Sequence, residues 1–268
     1  MDYFVCQFKW SVVIFSLSLL SCNLDDKKMN NHEDTIHLFN GENLDGWYTY
    51  LKGLGKDQDP DEVFTVENGI IRISGETWGC ITTEKEFENY HLFVEYKWGE
   101  KTFEPRVDRA RDCGVLLHST GVDGAYGDTW MYSIECQIIE GGTGDFLVVA
   151  DGSENYAITS PVADEKQGSS WVYQADGHLE TIYGGRINWY GRSSRWQDTI
   201  GFRGENDIEK PVGEWNVLEC VAESDSLITK LNGVMVNEAI KVRPHMGKIQ
   251  IQSEGAEIFI RKVDLILD

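Results

Sequence analysis

The sequence predicts an all-β protein in which two antiparallel sheets pack as a sandwich or jelly roll. Three observations carry this reading. Several short segments alternate apolar and polar residues with a period of two, the mark of a half-buried strand. Two Asn-Gly pairs, Asn68-Gly69 and Asn232-Gly233, sit between such segments and supply the positive φ values of a tight hairpin turn. No long stretch combines a helical period with a cap and a stop. Strands with one apolar phase need a second sheet to cover it, so a two-layer arrangement follows.

The chain opens with Lys9, an apolar run from Trp10 to Leu20, and then Ser21-Cys22. That run is too short to span a bilayer and fits a signal peptide. Leu19-Leu20-Ser21-Cys22 resembles a bacterial lipobox, in which the cysteine is acylated and becomes the first residue of the mature chain. Residues 1–21 are therefore expected to be a lipoprotein signal peptide and 22–36 a flexible polar tether. The expected location is the cell envelope, lipid-anchored to a membrane through Cys22 on its periplasmic or surface-exposed side. Residues 37–268 contain no Pro/Ser-rich linker, no solenoid repeat and no second long apolar segment, so a single β domain is expected there.

Forty-five acidic residues against 24 Lys and Arg give a formal charge of −21. A chain of that charge with no basic stripe repels nucleic acid, which excludes that partner class. Four cysteines remain beyond the leader and anchor: Cys80, Cys113, Cys136 and Cys220. An exported location permits disulfides, and the three available pairings stay open. Cys113 and Cys136 fall on the apolar phase of their strands, which suits buried free thiols equally well. Asp57, Asp59 and Asp61 alternate in a loop without EF-hand spacing.

In chain order, Val63 to Val66 and Ile70 to Ile73 flank the first Asn-Gly turn. In His91 to Trp98, Leu92, Val94 and Tyr96 share one face. Cys113 to His118, Met131 to Ile139, Val217 to Val221 and Ile228 to Leu231 repeat the alternation. Lys248 to Gln252 and Glu257 to Leu267 close the chain as further strands. Two regions break the rhythm: the charged Gly99–Asp112 segment, and Gly141–Gly213, rich in glycine and aromatics, with His178 to Tyr183 as one short strand inside it. Long aromatic-bearing loops on a β scaffold are where binding sites sit.

The alternation also sorts polar residues. With Ile134, Cys136 and Ile138 turned to the core, Ser133, Glu135 and Gln137 share the opposite face. The same logic turns Cys113, Val115 and Leu117 inward and puts His118 beside Glu135. Ile249 and Ile251 take the core phase, leaving Gln250 and Gln252, followed by Ser253 and Glu254. A solvent-facing convex sheet would carry the same polar residues. Three amides suit paired sugar hydroxyls, however, and a carboxyl beside an imidazole suits proton transfer. Trp78, Trp130 and Trp171 are candidates to stack on a pyranose, and Gln137, Gln250, Gln252 and Glu254 to bind its hydroxyls.

Several segments resemble the 3-keto-disaccharide hydrolase domain family. They are Leu38 to Trp47, Phe64 to Ile70, Cys113 to His118, Tyr132 to Gln137, Gly213 to Asn216, Leu231 to Gly233 and Gly247 to Gly255, in order across 38–264. The resemblance implies a concanavalin A-like jelly-roll sandwich of two curved antiparallel sheets, and cleavage of glycosides whose sugar carries a ketone at C3. It matches the family's central Glu-x-Gln to Glu135 and Gln137, and its C-terminal Gln to Gln252. The sequence departs from the pattern at Cys113, where a polar residue is common, and at Ser253-Glu254-Gly255, where a His-Gly pair is usual.

A C3 ketone acidifies the C2 hydrogen, so the expected reaction begins with proton abstraction by Glu135, with His118 as proton shuttle. A divalent cation such as calcium or manganese is an optional cofactor to polarise the ketone, with no ligand set named by the sequence. Two other readings stand beside this one. Glu135 and Glu254 would serve as the carboxyl pair of an ordinary glycosidase, and a surface glycan-binding lipoprotein would use the same face without catalysis.

Overall fold

The computed structural model describes Met1 and residues 35–267. Apart from Met1, the expected signal peptide, Cys22 and the tether as far as residue 34 lie outside the described residues. The strands in chain order are β1 (Thr35–His37), β2 (Trp47–Leu51), β3 (Gly55–Lys56), β4 (Phe64–Glu67), β5 (Ile70–Ile73) and β6 (Gly79–Thr83). Then come β7 (Tyr90–Thr102), β8 (Asp112–Thr120), β9 (Tyr132–Ile139), β10 (Phe146–Val149), β11 (Ala157–Val162), β12 (Trp171–Val172) and β13 (His178–Ile182). The last six are β14 (Gly185–Asn188), β15 (Asn216–Glu223), β16 (Ser226–Leu231), β17 (Val234–Arg243), β18 (Lys248–Ser253) and β19 (Ala256–Leu267). No helix forms among the described residues.

These strands make two sheets. One runs β13-β11-β17-β16-β15-β7-β19-β5-β4, with β1 also paired to β19; the other runs β12-β14-β10-β9-β8-β18-β6-β2-β3. Every ladder is antiparallel except β12 against β14. The jelly roll expected from the alternation is therefore present. Both Asn-Gly turns form as expected, with φ of 52° and 77° at Asn68-Gly69 and of 51° and 82° at Asn232-Gly233. Thr35 and Ile36 pair with Ile266 and Leu265, so the last two residues of the expected tether belong to the sheet.

The apolar phases of both sheets meet in one core. Leu92, Val94 and Tyr96 of β7 lie in it with Leu117 of β8, Ile134 and Ile138 of β9, and Ile258 and Ile260 of β19, all fully buried. Burying a side chain of that size stabilises the fold by roughly 1.5–3 kcal/mol. Cys80, Cys113, Cys136 and Cys220 are all buried free thiols. Cys136 Sγ stands 3.2 Å from Thr229 Oγ1 of the opposite sheet.

Two features differ from the sequence reading. Strand β7 continues to Thr102, past the expected break at Gly99. The segment over 141–213, expected to be mainly loops with His178 to Tyr183 as a strand, contains that strand as β13 together with β10, β11, β12 and β14, which extend both sheets at one end. Strands β8, β9 and β18 are buried on both faces, so the polar phase they carry is not a convex surface in water.

A carboxyl lies inside this end of the fold. Oε1 of buried Glu209 accepts hydrogen bonds from Tyr96 Oη at 2.7 Å, Trp98 Nε1 at 2.9 Å and Thr143 Oγ1 at 3.2 Å, while Oε2 has no partner. Burial pushes its pKa up to about 8. The folded state thus holds a proton that the unfolded chain releases above the ordinary value of 4.5. Stability contributed by this group is full below that value and is lost as pH rises through about 8, at up to ~1.4 kcal/mol per pH unit. Glu209→Gln, which copies the protonated form, should melt above the wild type at pH 8 and converge with it near pH 4.5. Parallel thermal scans at the two pH values would show this, and an equal offset at both would refute it.

Candidate active site

Register brings the site together. Glu135 on β9 lies opposite Leu116 of β8, and Gln137 lies opposite Gly114. On the other side of β8, Ile251 of β18 lies opposite Val115, which sets Gln252 beside Gly114. Antiparallel partners point to the same face, so Glu135, Gln137 and Gln252 converge over a single glycine. A Cβ at Gly114 would stand 2.9 Å from Glu135 Cδ and 2.5 Å from Gln252 Oε1. The missing side chain is the space those groups occupy.

Above Gly114 is a cavity of about 240 Å³, walled by Glu135, Gln137, Gln252, Asp112, Glu254, Arg106, Arg186, Trp130 and Tyr126. Glu135 is 3 % exposed, Gln137 2 % and Gln252 1 %. Gln137 Nε2 donates to Asp112 and to the Cys113 carbonyl at 3.1 Å, and its Oε1 accepts from Arg186 Nη2 at 3.2 Å. Both of its ends are thus fixed. Gln252 Oε1, by contrast, has no hydrogen-bond partner. A buried acceptor left open at a cavity wall is a place for a ligand hydroxyl.

Three carboxyl groups in the wall titrate high. Burial pushes Glu135 up to about 8, with Asp112 and Asp145 adding to the rise and Arg186 and Arg106 opposing it. Burial raises Asp112 to about 6, against the pull of Arg106 and Arg186. Glu254 is pushed well above its ordinary range by burial and by Asp112 and Glu135. At neutral pH Glu135 is mostly protonated and Asp112 mostly ionised, and Glu254 is shifted in the same direction as Glu135. Arg106 pairs with Asp112, and its Nη2 stands 3.8 Å from Glu254 Oε1. Arg186 Nη1 reaches Asp145 Oδ2 at 3.0 Å, and Arg192 shares that oxygen. A set of carboxyl groups shifted upward, two of them to within about a unit of neutrality, can give and take protons.

One wall is aromatic. Trp130 stacks on Tyr126 at 6.4 Å between centroids and on Trp78 at 5.8 Å, and its Nε1 donates to the Gly79 carbonyl at 3.1 Å. Of the three expected tryptophans, Trp130 faces the cavity and Trp78 backs it. Trp171 does not join them. It packs against the main core, with His178 edge-on at 5.2 Å and Lys166 Nζ 4.6 Å from its ring.

Two further expected site residues are placed elsewhere. His118 has φ of +54°, in a bulge where the β8–β9 register shifts between Leu117 and Thr120. The bulge breaks the alternation, and the imidazole turns to the core, edge-on to Tyr90 at 5.7 Å with Nδ1 2.9 Å from the Pro244 carbonyl. Burial lowers its pKa to about 4. Gln250 is on the right face but is used up internally: Oε1 accepts from Met131 N at 3.1 Å, and Nε2 donates to Thr82 Oγ1 at 2.9 Å and Cys80 Sγ at 3.2 Å. It holds the turn that carries Trp130 rather than a ligand.

The cavity does not fit the divalent cation considered above. Asp112 is taken by Arg106 and Gln137, and Asp145 by Arg186, Arg192 and the Trp189 amide. No group of three or more His, Cys, Asp or Glu among the described residues is arranged to hold a metal ion. Asp112, Arg106 and Arg186 were not singled out from sequence. Asp112 was within reach, because it shares the phase of Gly114 and Leu116. The arginines come from outside β8, β9 and β18 and carry no local signal.

Comparison with known proteins agrees with this architecture. The sequence profile of the 3-keto-alpha-glucoside-1,2-lyase-like domain matches residues 34–266. No curated protein matches the chain. A crystal structure of a proposed glycosyl hydrolase from Parabacteroides distasonis ATCC 8503 superposes with a TM-score of 0.52 at 18 % identity, covering 88 % of this chain and 94 % of that one. A second structure described in the same way, from the same organism, gives the same score and identity and is covered over 100 % of its length. A β-glucanase of Bacillus licheniformis aligns over 88 % of this chain and 99 % of its own, with 9 % identity and a TM-score of 0.43. The fold is the concanavalin A-like jelly roll, and over nearly all of its described length the chain belongs to the 3-keto-alpha-glucoside-1,2-lyase-like domain family.

Proposed function

We propose that the protein cleaves glycosides whose sugar carries a ketone at C3, by elimination across C1 and C2. The observation that supports this most is the convergence of three high-titrating carboxyl groups and two guanidinium groups on one buried cavity over Gly114. Glu135, once ionised, takes the C2 proton, and the electron pair moves onto the C3 oxygen as an enolate. Arg106 and Arg186 stabilise that negative charge. The enolate then collapses: the C3 carbonyl re-forms, a C1–C2 double bond forms, and the C1–O bond to the aglycone breaks. Protonated Glu254 gives its proton to the departing oxygen. Transfer of the proton from Glu135 to Glu254 restores the starting state, so no outside co-reactant is needed. Gln252 Oε1 accepts a sugar hydroxyl, and Trp130 offers an apolar face to the ring.

The test is to incubate the protein with a panel of glucosides and their 3-keto forms, following aglycone release and the absorbance of the conjugated enone. Release from the keto forms alone, with enone appearing, is the expected result. Cleavage of unmodified glucosides would instead assign Glu135 and Glu254 to two-carboxylate hydrolysis. Binding without turnover of either series would make the protein a glycan-binding module.

A further inference from the structure

The four thiols of the described residues are not equivalent. Cys80 of β6 packs with Leu116 and Trp130 on the cavity side of its sheet, where its Sγ accepts from Gln250 Nε2 at 3.2 Å. Cys113, Cys136 and Cys220 lie in the core between the sheets. A side chain on the outer face of a sheet cannot reach one between the sheets, which leaves Cys80 without a partner for a bridge. Cys113 lies diagonal to Cys136, because the register partner of Cys136 on β8 is Val115. Diagonal neighbours stand about 7–8 Å apart, beyond the span of a disulfide. The Cys113 thiol donates instead to the Gln252 carbonyl at 3.3 Å.

Cys136 and Cys220 face each other across the two layers. Cys220 of β15 is the register partner of Thr229 on β16, so their side chains enter the core side by side. Thr229 Oγ1 stands 3.2 Å from Sγ of Cys136, which comes from β9 in the opposite sheet. All three residues are fully buried. A hydrogen bond with Cys136, together with burial, pushes the Cys220 thiol well above its ordinary range. The two sulfurs thus meet in the dry centre of the sandwich.

We propose that Cys136 and Cys220 are a disulfide site that staples the two sheets, closed when the chain folds in the presence of an oxidising disulfide. One cysteine, as thiolate, attacks the oxidant; a mixed disulfide forms and one oxidant thiol leaves. The other cysteine then attacks the protein sulfur of that mixed disulfide, forming the Cys136–Cys220 bond and releasing the second oxidant thiol. Two protein thiols are oxidised, one oxidant disulfide is reduced, and the two protons pass to its thiols. Burial withholds both sulfurs from reagents in the finished fold, so the exchange belongs to folding, before the sheets close. The exported location expected from the leader supplies oxidants of this class. The bridge ties β9, the strand of Glu135 and Gln137, to the opposite sheet.

The test refolds the full chain from denaturant with either oxidised glutathione or dithiothreitol. Remaining thiols are alkylated under denaturing conditions, and the unreduced chain is digested for mass spectrometry. The oxidised sample should yield a crosslinked pair of peptides carrying Cys136 and Cys220, with Cys80 and Cys113 alkylated. Its melting midpoint should exceed that of the reduced sample by about 5–15 °C, because a bridge closing a long loop restricts the unfolded chain. Cys136→Ala and Cys220→Ala should each abolish the crosslink and that difference. The crosslink itself is read on the wild type and does not depend on either variant folding. Alkylation of both Cys136 and Cys220 in the refolded oxidised sample, or a bridge from either of them to Cys80 or Cys113, overturns the proposal. Equal midpoints in a crosslinked and a reduced sample overturn the bridge as a staple.

Discussion

Glu135→Gln should lower turnover of a 3-keto-glucoside by about 10²–10⁴-fold, the usual contribution of a general base. The substitution keeps the shape that leans over Gly114 but removes the oxygen able to take a proton. It also removes a carboxyl whose burial pushes its pKa up to about 8, so the melting midpoint should hold or rise at neutral pH. The same value sets the pH dependence of the wild type. Only the carboxylate accepts the C2 proton, and below about 8 its population grows about tenfold for each pH unit. The kcat/KM of the wild type should climb with pH and level off above about 8. The residual activity of Glu135→Gln should lack that limb. Unchanged turnover in the variant would remove Glu135 from the chemistry.

The second large effect is expected from a position with no side chain. Gly114 is absent from the positive-φ positions, so alanine there meets no backbone strain. What it meets is Glu135 and Gln252. Both must move, and both are enclosed by neighbours that are themselves buried. Displacing a reacting group by about 1 Å can cost 10²-fold in rate, whereas overpacking costs about 1–3 kcal/mol of stability. Gly114→Ala should therefore fold, melt a few degrees lower and lose about 10²-fold or more in kcat. Thermal scans and initial rates on the same preparation check both halves. Wild-type kcat in a folded Gly114→Ala protein would show that the convergence over Gly114 is not what places the base.

The sequence made the scaffold and the centre of the site readable for different reasons. Hairpin turns are local, and Asn68-Gly69 and Asn232-Gly233 announce themselves because two successive positive φ values suit few residue pairs. Glu135, Gln137 and Gln252 were legible because alternation assigns faces and their strands lie side by side. The same rule failed at His118, where a bulge inserts an extra residue with no compositional mark and reverses the phase. It was too coarse at Gln250: a face says which way a side chain points, not whether its neighbours have already taken its hydrogen bonds. Arg106 and Arg186 flank the cavity from the turn before β8 and from β14, brought there by sheet order, which no local pattern contains. Trp171 fell on the wrong side for that reason too, since β12 joins the sheet edge and packs its indole against the core.

The stack of Tyr126, Trp130 and Trp78 has an optical consequence. Two indoles 5.8 Å apart and inclined by 27° are close enough for their transition dipoles to couple, which should give the protein a paired far-ultraviolet dichroism band. Trp130 faces the cavity and Trp78 stands behind it, so the strength of that couplet depends on how Trp130 is seated. The molecule therefore carries its own chromophore at the ligand wall, and occupancy can be followed without a label.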